Sequence, residues 1–331
     1  MLPYQDSSRK LRDCAIAVIL SVIFSQFGGL VFFFTVPLYV LYYRKGFSEL
    51  LPSALTVLAV LAVLAIWKTR LVADTDLRRA LIVIEMIIPV LLMLGLFFVI
   101  DVIPVLSGYR RLYRLLAATA AGVIVFIPVY LILRRNEVFT NAVSYQINAI
   151  AGALTGSGGG TYESEVMKSY LGEDGLVGYM RTFYKRSAGA FYFLILLTTS
   201  RFAEVIMFRF GKKNVMRLTE FTVPTVLLWP TLLTAVSIIV EMFNLLQLGI
   251  VSPFLWNAGL ILVFLYGLQG FAIMRSLFIK FRLPNGLRLM VEFLLVLILA
   301  MPGINYFVII GLPVLGISET WINLRKSIRS T

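Results

Sequence analysis

Residues 80–101 read ALIVIEMIIPVLLMLGLFFVID. Between Arg79 and Asp101 this stretch holds one ionisable residue, Glu85. An α-helix rises 1.5 Å per residue, so about 20 such residues cross a hydrocarbon core about 30 Å thick. The stretch reads as a membrane span, and that reading governs its surroundings. Comparable apolar runs fall near 14–43, 50–67, 113–133, 188–208, 221–247, 253–279 and 287–318. Of the 331 residues, 60% are hydrophobic and 14% charged, whereas a soluble domain carries roughly 25% charged residues. A water-soluble fold has too few polar groups here to cover its outside. The expected fold is all-α, a polytopic transmembrane helical bundle of eight to ten spans.

The range of eight to ten comes from the first and last runs, which are too long for one crossing each. Gly28-Gly29 interrupts the first and Pro302-Gly303 the last. Glycine loosens the backbone and proline removes a donor, so both mark expected turns. Splitting both runs gives ten crossings; leaving both whole gives eight.

The 30 Lys and Arg outnumber the 17 Asp and Glu, for a net charge of +13. The cations cluster at the ends of apolar runs, as at Arg44-Lys45, Arg110-Arg111, Arg134-Arg135 and Lys212-Lys213. That placement serves topology and anionic headgroups, so the lipid bilayer is the expected partner and nucleic acid is not. Applied to ten crossings, the positive-inside rule puts both termini in the cytoplasm, with the loops near 44–47, 102–112, 209–217 and 280–288. The loop bearing Lys68, Arg70, Arg78 and Arg79 resists, offset only by Asp74 and Asp76. The basic start, Arg9, Lys10 and Arg12, precedes apolar sequence with no small-x-small cleavage site and reads as an uncleaved first span.

One cysteine, Cys14, and no histidine leave no intrachain disulfide and no histidine-based metal site or base. No metal, cofactor or catalytic constellation is expected, and the chain does not read as an enzyme. The organisation expected is an N-terminal membrane bundle over 1–134, an extracytoplasmic amphipathic linker over 135–186 and a C-terminal bundle over 187–331. The linker reads as helix, glycine hinge and helix around Gly156 to Gly160. Thr161-Tyr162-Glu163 follow those glycines, so the Gly-Lys-Ser/Thr of a phosphate loop is missing.

Ionisable groups inside spans carry more information, since each costs about 2.5–3.5 kcal/mol at a helix centre. Arg201 and Glu204 stand three apart and Arg288 and Glu292 four apart, so each couple can pair along one helix face. Glu85 and Glu241 have no partner within a turn. They must find one on another helix, find water, or stay protonated. Asn257 and Gln269 are neutral and polar at depth, where an interhelical hydrogen bond competes with a ligand contact. The candidate substrate-binding residues are therefore Glu85, Arg201, Glu204, Glu241, Asn257 and Gln269, with local pairing as the structural alternative. Trp67, Trp229, Trp256 and Trp321 lie near span ends and read as an interfacial belt. On the first helix Ala17, Ser21 and Ser25 recur at every fourth position. Such a stripe lets another helix approach, either a membrane partner subunit or a neighbour within the chain.

Leu227-Leu228-Trp229-Pro230, Gly267-Leu268-Gln269-Gly270, and Gly316-Ile317-Ser318-Glu319 running into Asn323-Leu324-Arg325-Lys326 resemble the YybS-like family of predicted bacterial membrane proteins. The resemblance covers most of the chain. Glu319 and Asn323 stand where the family generally has Asp, so a role needing two carboxylates is not implied. The N-terminal part of that family is similar to the S components of energy-coupling-factor vitamin transporters, which bind small molecules from the outer side between helices. The resemblance implies a multi-pass protein of the bacterial cytoplasmic (inner) membrane that binds an unidentified small molecule, as a transporter subunit or transporter-like receptor. It also implies a substrate-covering role for 135–186 and partner docking through Ala17, Ser21 and Ser25. The alternative is a non-transporting scaffold that assists assembly of an envelope or division complex. A polar cavity lined by Glu85, Glu241, Asn257 and Gln269 would favour binding, and a dry bundle the scaffold.

Overall fold

The computed structural model describes residues 4–100, 110–139, 142, 176–211, 218–243, 245–246, 248–301, 303–322 and 325. Among them there are helices and turns and no strand. The α-helices are α1 (Tyr4–Gln26), α2 (Val36–Lys45), α3 (Phe47–Thr69), α4 (Thr75–Val99), α5 (Arg111–Arg134), α6 (Leu176–Arg209), α7 (Leu228–Met242), α8 (Ser252–Lys280), α9 (Asn285–Ala300) and α10 (Asn305–Ile322). Among the described residues, seven stretches are long and apolar enough to cross a membrane: α3, α4, the Arg111–Val129 part of α5, Thr182–Arg209 of α6, Thr225–Met242, α8 and α10. Over the described residues the chain is all-helical, and these seven stretches make it a multi-pass membrane protein.

Both breakers act where the sequence puts them. The first long run divides into α1, a 3-10 turn at Gly28–Phe33, and α2. The last divides between α9 and α10, where Gly303 takes a φ of +91°, a conformation that only glycine adopts cheaply. Neither α2, with 10 residues, nor α9, with 16, is counted among the seven. At 1.5 Å per residue they reach about 15 and 24 Å, short of a full core.

The chain falls into two compact units, Met1–Met180 with Phe191–Val215, and Arg181–Ala190 with Met216–Thr331. The division expected at 134/135 and 186/187 differs from this, because α6 is one helix of 34 residues, about 51 Å long. Composition changes near 187, but packing changes near 190. From Tyr192 onward α6 belongs to the first unit, where the Tyr192 hydroxyl donates to the Leu91 carbonyl at 2.6 Å. Tyr192 also fills the space that a Cβ would need at Gly95 on α4 and at Gly122 on α5. The expected linker, glycine run included, lies outside the described residues from 143 to 175. Its last part, from Leu176, is the start of α6.

In the first unit α1 packs against α2, the 3-10 turn and α3. Asp13 on α1 pairs with Lys45 at 3.3 Å and Arg44 at 3.9 Å, tying the two ends of the hairpin together. Ala17 and Ser21 are buried, and the Ser25 hydroxyl, half-buried, donates to the Val22 carbonyl at 2.6 Å. At Ala17 and Ser21 the small-residue stripe is thus spent on packing within this chain. The expectation of a free docking face is corrected at those two positions, because small side chains admit whichever backbone is nearest.

In the second unit α8 and α10 meet backbone to backbone. A Cβ at Gly270 would overlap the Leu312 carbonyl, and one at Gly316 the Tyr266 carbonyl. The glycines of the Gly267–Gly270 and Gly316–Glu319 stretches are therefore the contact points of this helix pair. Glu292 on α9 pairs with Arg275 of α8 at 3.2 Å. The expected Arg288–Glu292 couple does not form, because a cation on the neighbouring helix takes the carboxylate.

Candidate functional site

Glu241 sits one residue before the end of α7, in the second unit. The chain then turns through a 3-10 segment, Gly249–Val251, and re-enters the helical bundle as α8 at Ser252. This return brings the N-terminus of α8 against the carboxylate. Ser252 Oγ donates to Glu241 Oε1 at 2.6 Å, and Trp256 Nε1 donates to Oε2 at 3.0 Å. From α6, Arg186 Nη2 donates to Oε1 at 2.8 Å. The Arg186 guanidinium also lies 5.1 Å from the Trp256 ring centroid, a cation–π distance. The carboxylate matches the dipole at the α8 N-terminus, and the Arg186 cation offsets its unfavourable place in the last turn of α7. The partner that Glu241 requires is thus found on another helix, and its side chain is only 16% exposed.

Beside this ion pair opens a cavity of about 330 Å³, lined by Thr182, Lys185, Arg186, Glu241, Leu246, Leu248, Gly249, Ser252 and Pro253. Lys185 is exposed, and its side chain makes no hydrogen bond or ion pair among the described residues, although its carbonyl accepts from Asn257 Nδ2. Two cations thus face one carboxylate, and that carboxylate already accepts three bonds. The cavity offers donors and an apolar wall.

Asn257 stands one turn below Pro253 and carries its scaffold. Its Oδ1 accepts from the backbone N–H of Gly189 at 2.7 Å and of Ala190 at 3.1 Å. Its Nδ2 donates to the carbonyls of Lys185 at 2.9 Å and Pro253 at 2.7 Å. Lys185 O and Gly189 N are four residues apart, the two ends of one helical rung, so Asn257 holds the α6 backbone at the height of Lys185 and Arg186. Replacing Asn257 with leucine removes four hydrogen bonds. At about 0.6 kcal/mol each in a membrane, the loss is roughly 2 kcal/mol. Thermal unfolding of the detergent-solubilised variant is expected to show it; an unchanged midpoint would remove Asn257 from the scaffold.

The other candidates lie elsewhere. Gln269 on α8 is buried, accepting from the Val223 N–H at 2.6 Å and donating to the Gly316 carbonyl at 2.9 Å, a structural clamp. Close to it Arg325 donates to the carbonyls of Thr219 and Phe221 at 2.9 Å each and to Glu319 at 3.2 Å. Arg201 and Glu204 pair at 3.2 Å as expected, within the first unit. Arg111, at the start of α5, binds the same Glu204 oxygen. Glu85 is half-buried on α4, and its side chain makes no hydrogen bond or ion pair among the described residues. Of the six, Glu241 lines the cavity and Asn257 supports it, whereas Glu85, Arg201, Glu204 and Gln269 do neither.

Sequence reasoning missed Lys185, Arg186, Ser252, Trp256 and Arg111. Depth along the spans was the usable signal. Glu241 lies near the end of its run, and Arg186 lies at the edge of the run beginning at 188. Glu204 and Arg111 are likewise both near span ends. No protein-family model, no curated protein and no solved structure matches the chain.

Proposed function

We propose that this chain is a solute-binding integral membrane protein, a transporter subunit or transporter-like receptor, whose site is the cavity beside Arg186 and Glu241. One observation carries the reading: an ion pair whose carboxylate accepts three hydrogen bonds stands at the ends of membrane helices, next to space of small-molecule size. Even a partly buried ion pair such as this one is a poor stability device, since desolvation offsets its attraction. It does hold charged groups rigidly beside a cavity, as a binding site requires. The resemblance to YybS-like proteins and S components points the same way.

In this reading the chain makes eight to ten crossings of the bacterial cytoplasmic membrane: eight if α1–α2 cross once and α9 shares the crossing of α10, ten if α1, α2 and α9 each add one to the seven long spans. Both termini are cytoplasmic and the cavity opens outward, since Gln247 to Ser252 contain no Lys or Arg and cytoplasmic loops collect them. Leu248→Cys in a Cys14→Ser background is expected to react with a membrane-impermeant maleimide in intact cells. Labelling only after lysis would invert the topology. For binding, equilibrium dialysis of the purified protein against a mixed small-molecule pool, read by mass spectrometry, tests the site. At least one solute is expected to enrich with the wild type and not with Arg186→Ala. Equal recovery from both would overturn the reading.

A further inference from the structure

We infer that the cavity takes a phosphate group, held by Lys185 and Arg186; this rests on the binding reading above and names its ligand class. The argument is a count of donors and charges. Glu241 already accepts from Arg186, Ser252 and Trp256 and its charge is matched by Arg186, so it offers little to a cationic ligand. Arg186 spends Nη2 on Glu241 and is stacked on Trp256, which leaves a fixed guanidinium with further N–H groups to donate. Lys185, the next residue, adds an ammonium with three donors. Lys185 and Arg186 against Glu241 leave one positive charge, which a phosphodiester or phosphate ester oxygen neutralises. A guanidinium fork and a mobile ammonium together suit the spread oxygens of phosphate.

The α8 N-terminus at Ser252 and Pro253, also in the lining, adds partial positive charge on the same side. Leu246, Leu248 and Pro253 form the apolar wall against which the ester's carbon groups would lie. The phosphate has two sources: the headgroup of an anionic lipid, which lies at the level of helix ends, or a free phosphorylated solute. The chemistry of recognition is the same for both.

The full chain is reconstituted in phosphatidylcholine nanodiscs, with or without phosphatidylglycerol. Glycerol phosphate binding is followed by calorimetry and phosphatidylglycerol retention by native mass spectrometry. Lys185→Gln is the test variant because the fold uses only the Lys185 backbone carbonyl, which the substitution keeps, and Lys185→Arg is its conservative rescue. One probe is expected to bind the wild type and Lys185→Arg, and to weaken roughly tenfold in Lys185→Gln, the loss of one charge-assisted hydrogen bond. Retention of phosphatidylglycerol alone assigns the headgroup; binding of glycerol phosphate alone assigns the free solute; both outcomes support the inference. Equal binding by wild type and Lys185→Gln, or no binding of either probe, overturns it. If dialysis enriches a neutral or cationic solute while both phosphate probes fail, the ligand class is wrong and the solute-binding reading stands. If phosphatidylglycerol is retained but dialysis enriches nothing, the phosphate site stands and the solute reading falls.

Discussion

Replacing Gly316 with leucine is expected to unfold the second unit, and Gly270→Leu to do the same. A Cβ at Gly316 would overlap the Tyr266 carbonyl, and one at Gly270 the Leu312 carbonyl. Those obstacles are backbone, so no side chain can rotate away; α8 and α10 must separate. Overpacking a tight core costs about 1–3 kcal/mol even where side chains can give. Separation here also breaks the bond from Gln269 to the Gly316 carbonyl. A loss above about 3 kcal/mol follows, a large share of the 5–15 kcal/mol that a folded protein holds. Gly311 on α10 is the control, since a Cβ there meets nothing within 4 Å. Tryptophan fluorescence follows this unit through Trp229, Trp256 and Trp321 during denaturant unfolding. If Gly316→Leu is as stable as Gly311→Leu, the backbone contact does not hold the pair.

The second large effect is expected at Glu204. Its side chain is 6% exposed and receives both Arg111 and Arg201. Glu204→Leu leaves two partly buried guanidinium groups side by side without their shared counter-ion. Removing one partner of a buried ion pair costs about 3–5 kcal/mol, because the remaining charge stays desolvated. Arg111→Met combined with Glu204→Leu is expected to recover part of that loss, since an apolar pair has no charge to desolvate. Protein yield and unfolding midpoint of the single and double variants form a double-mutant cycle. A single variant as stable as the wild type would show that Glu204 is hydrated rather than paired. Equal loss in the single and double variants would show that Arg111 does not share its charge.

Much of the secondary structure was readable before any tertiary contact. Helix formation and bilayer partition are sums over about twenty neighbouring residues, so 80–101 declares a span whatever packs beside it. The breaks at Gly28-Gly29 and Pro302-Gly303 are equally local, as is the Arg201–Glu204 pair along one helical turn. The pairs that build the site are not local. Glu241 meets Arg186 across 55 residues, Asn257 meets Gly189 across 68, and Glu292 takes Arg275 of α8 rather than Arg288 on its own helix. In each case the residue's need for a partner was visible, because a polar group in hydrocarbon must be satisfied. Which partner supplied it was not. The same holds for the border at Ala190, where α6 leaves one unit and joins the other without a change in helical pattern. Helix crossings decide these matters, and a few glycines facing backbone or Tyr192 set where neighbouring helices meet. Sequence alone determined that the chain is helical and multi-pass, where its long runs break, and which side chains require partners. Only the tertiary structure decided which helices supply them, because that choice depends on close approach between distant turns and not on the composition of either.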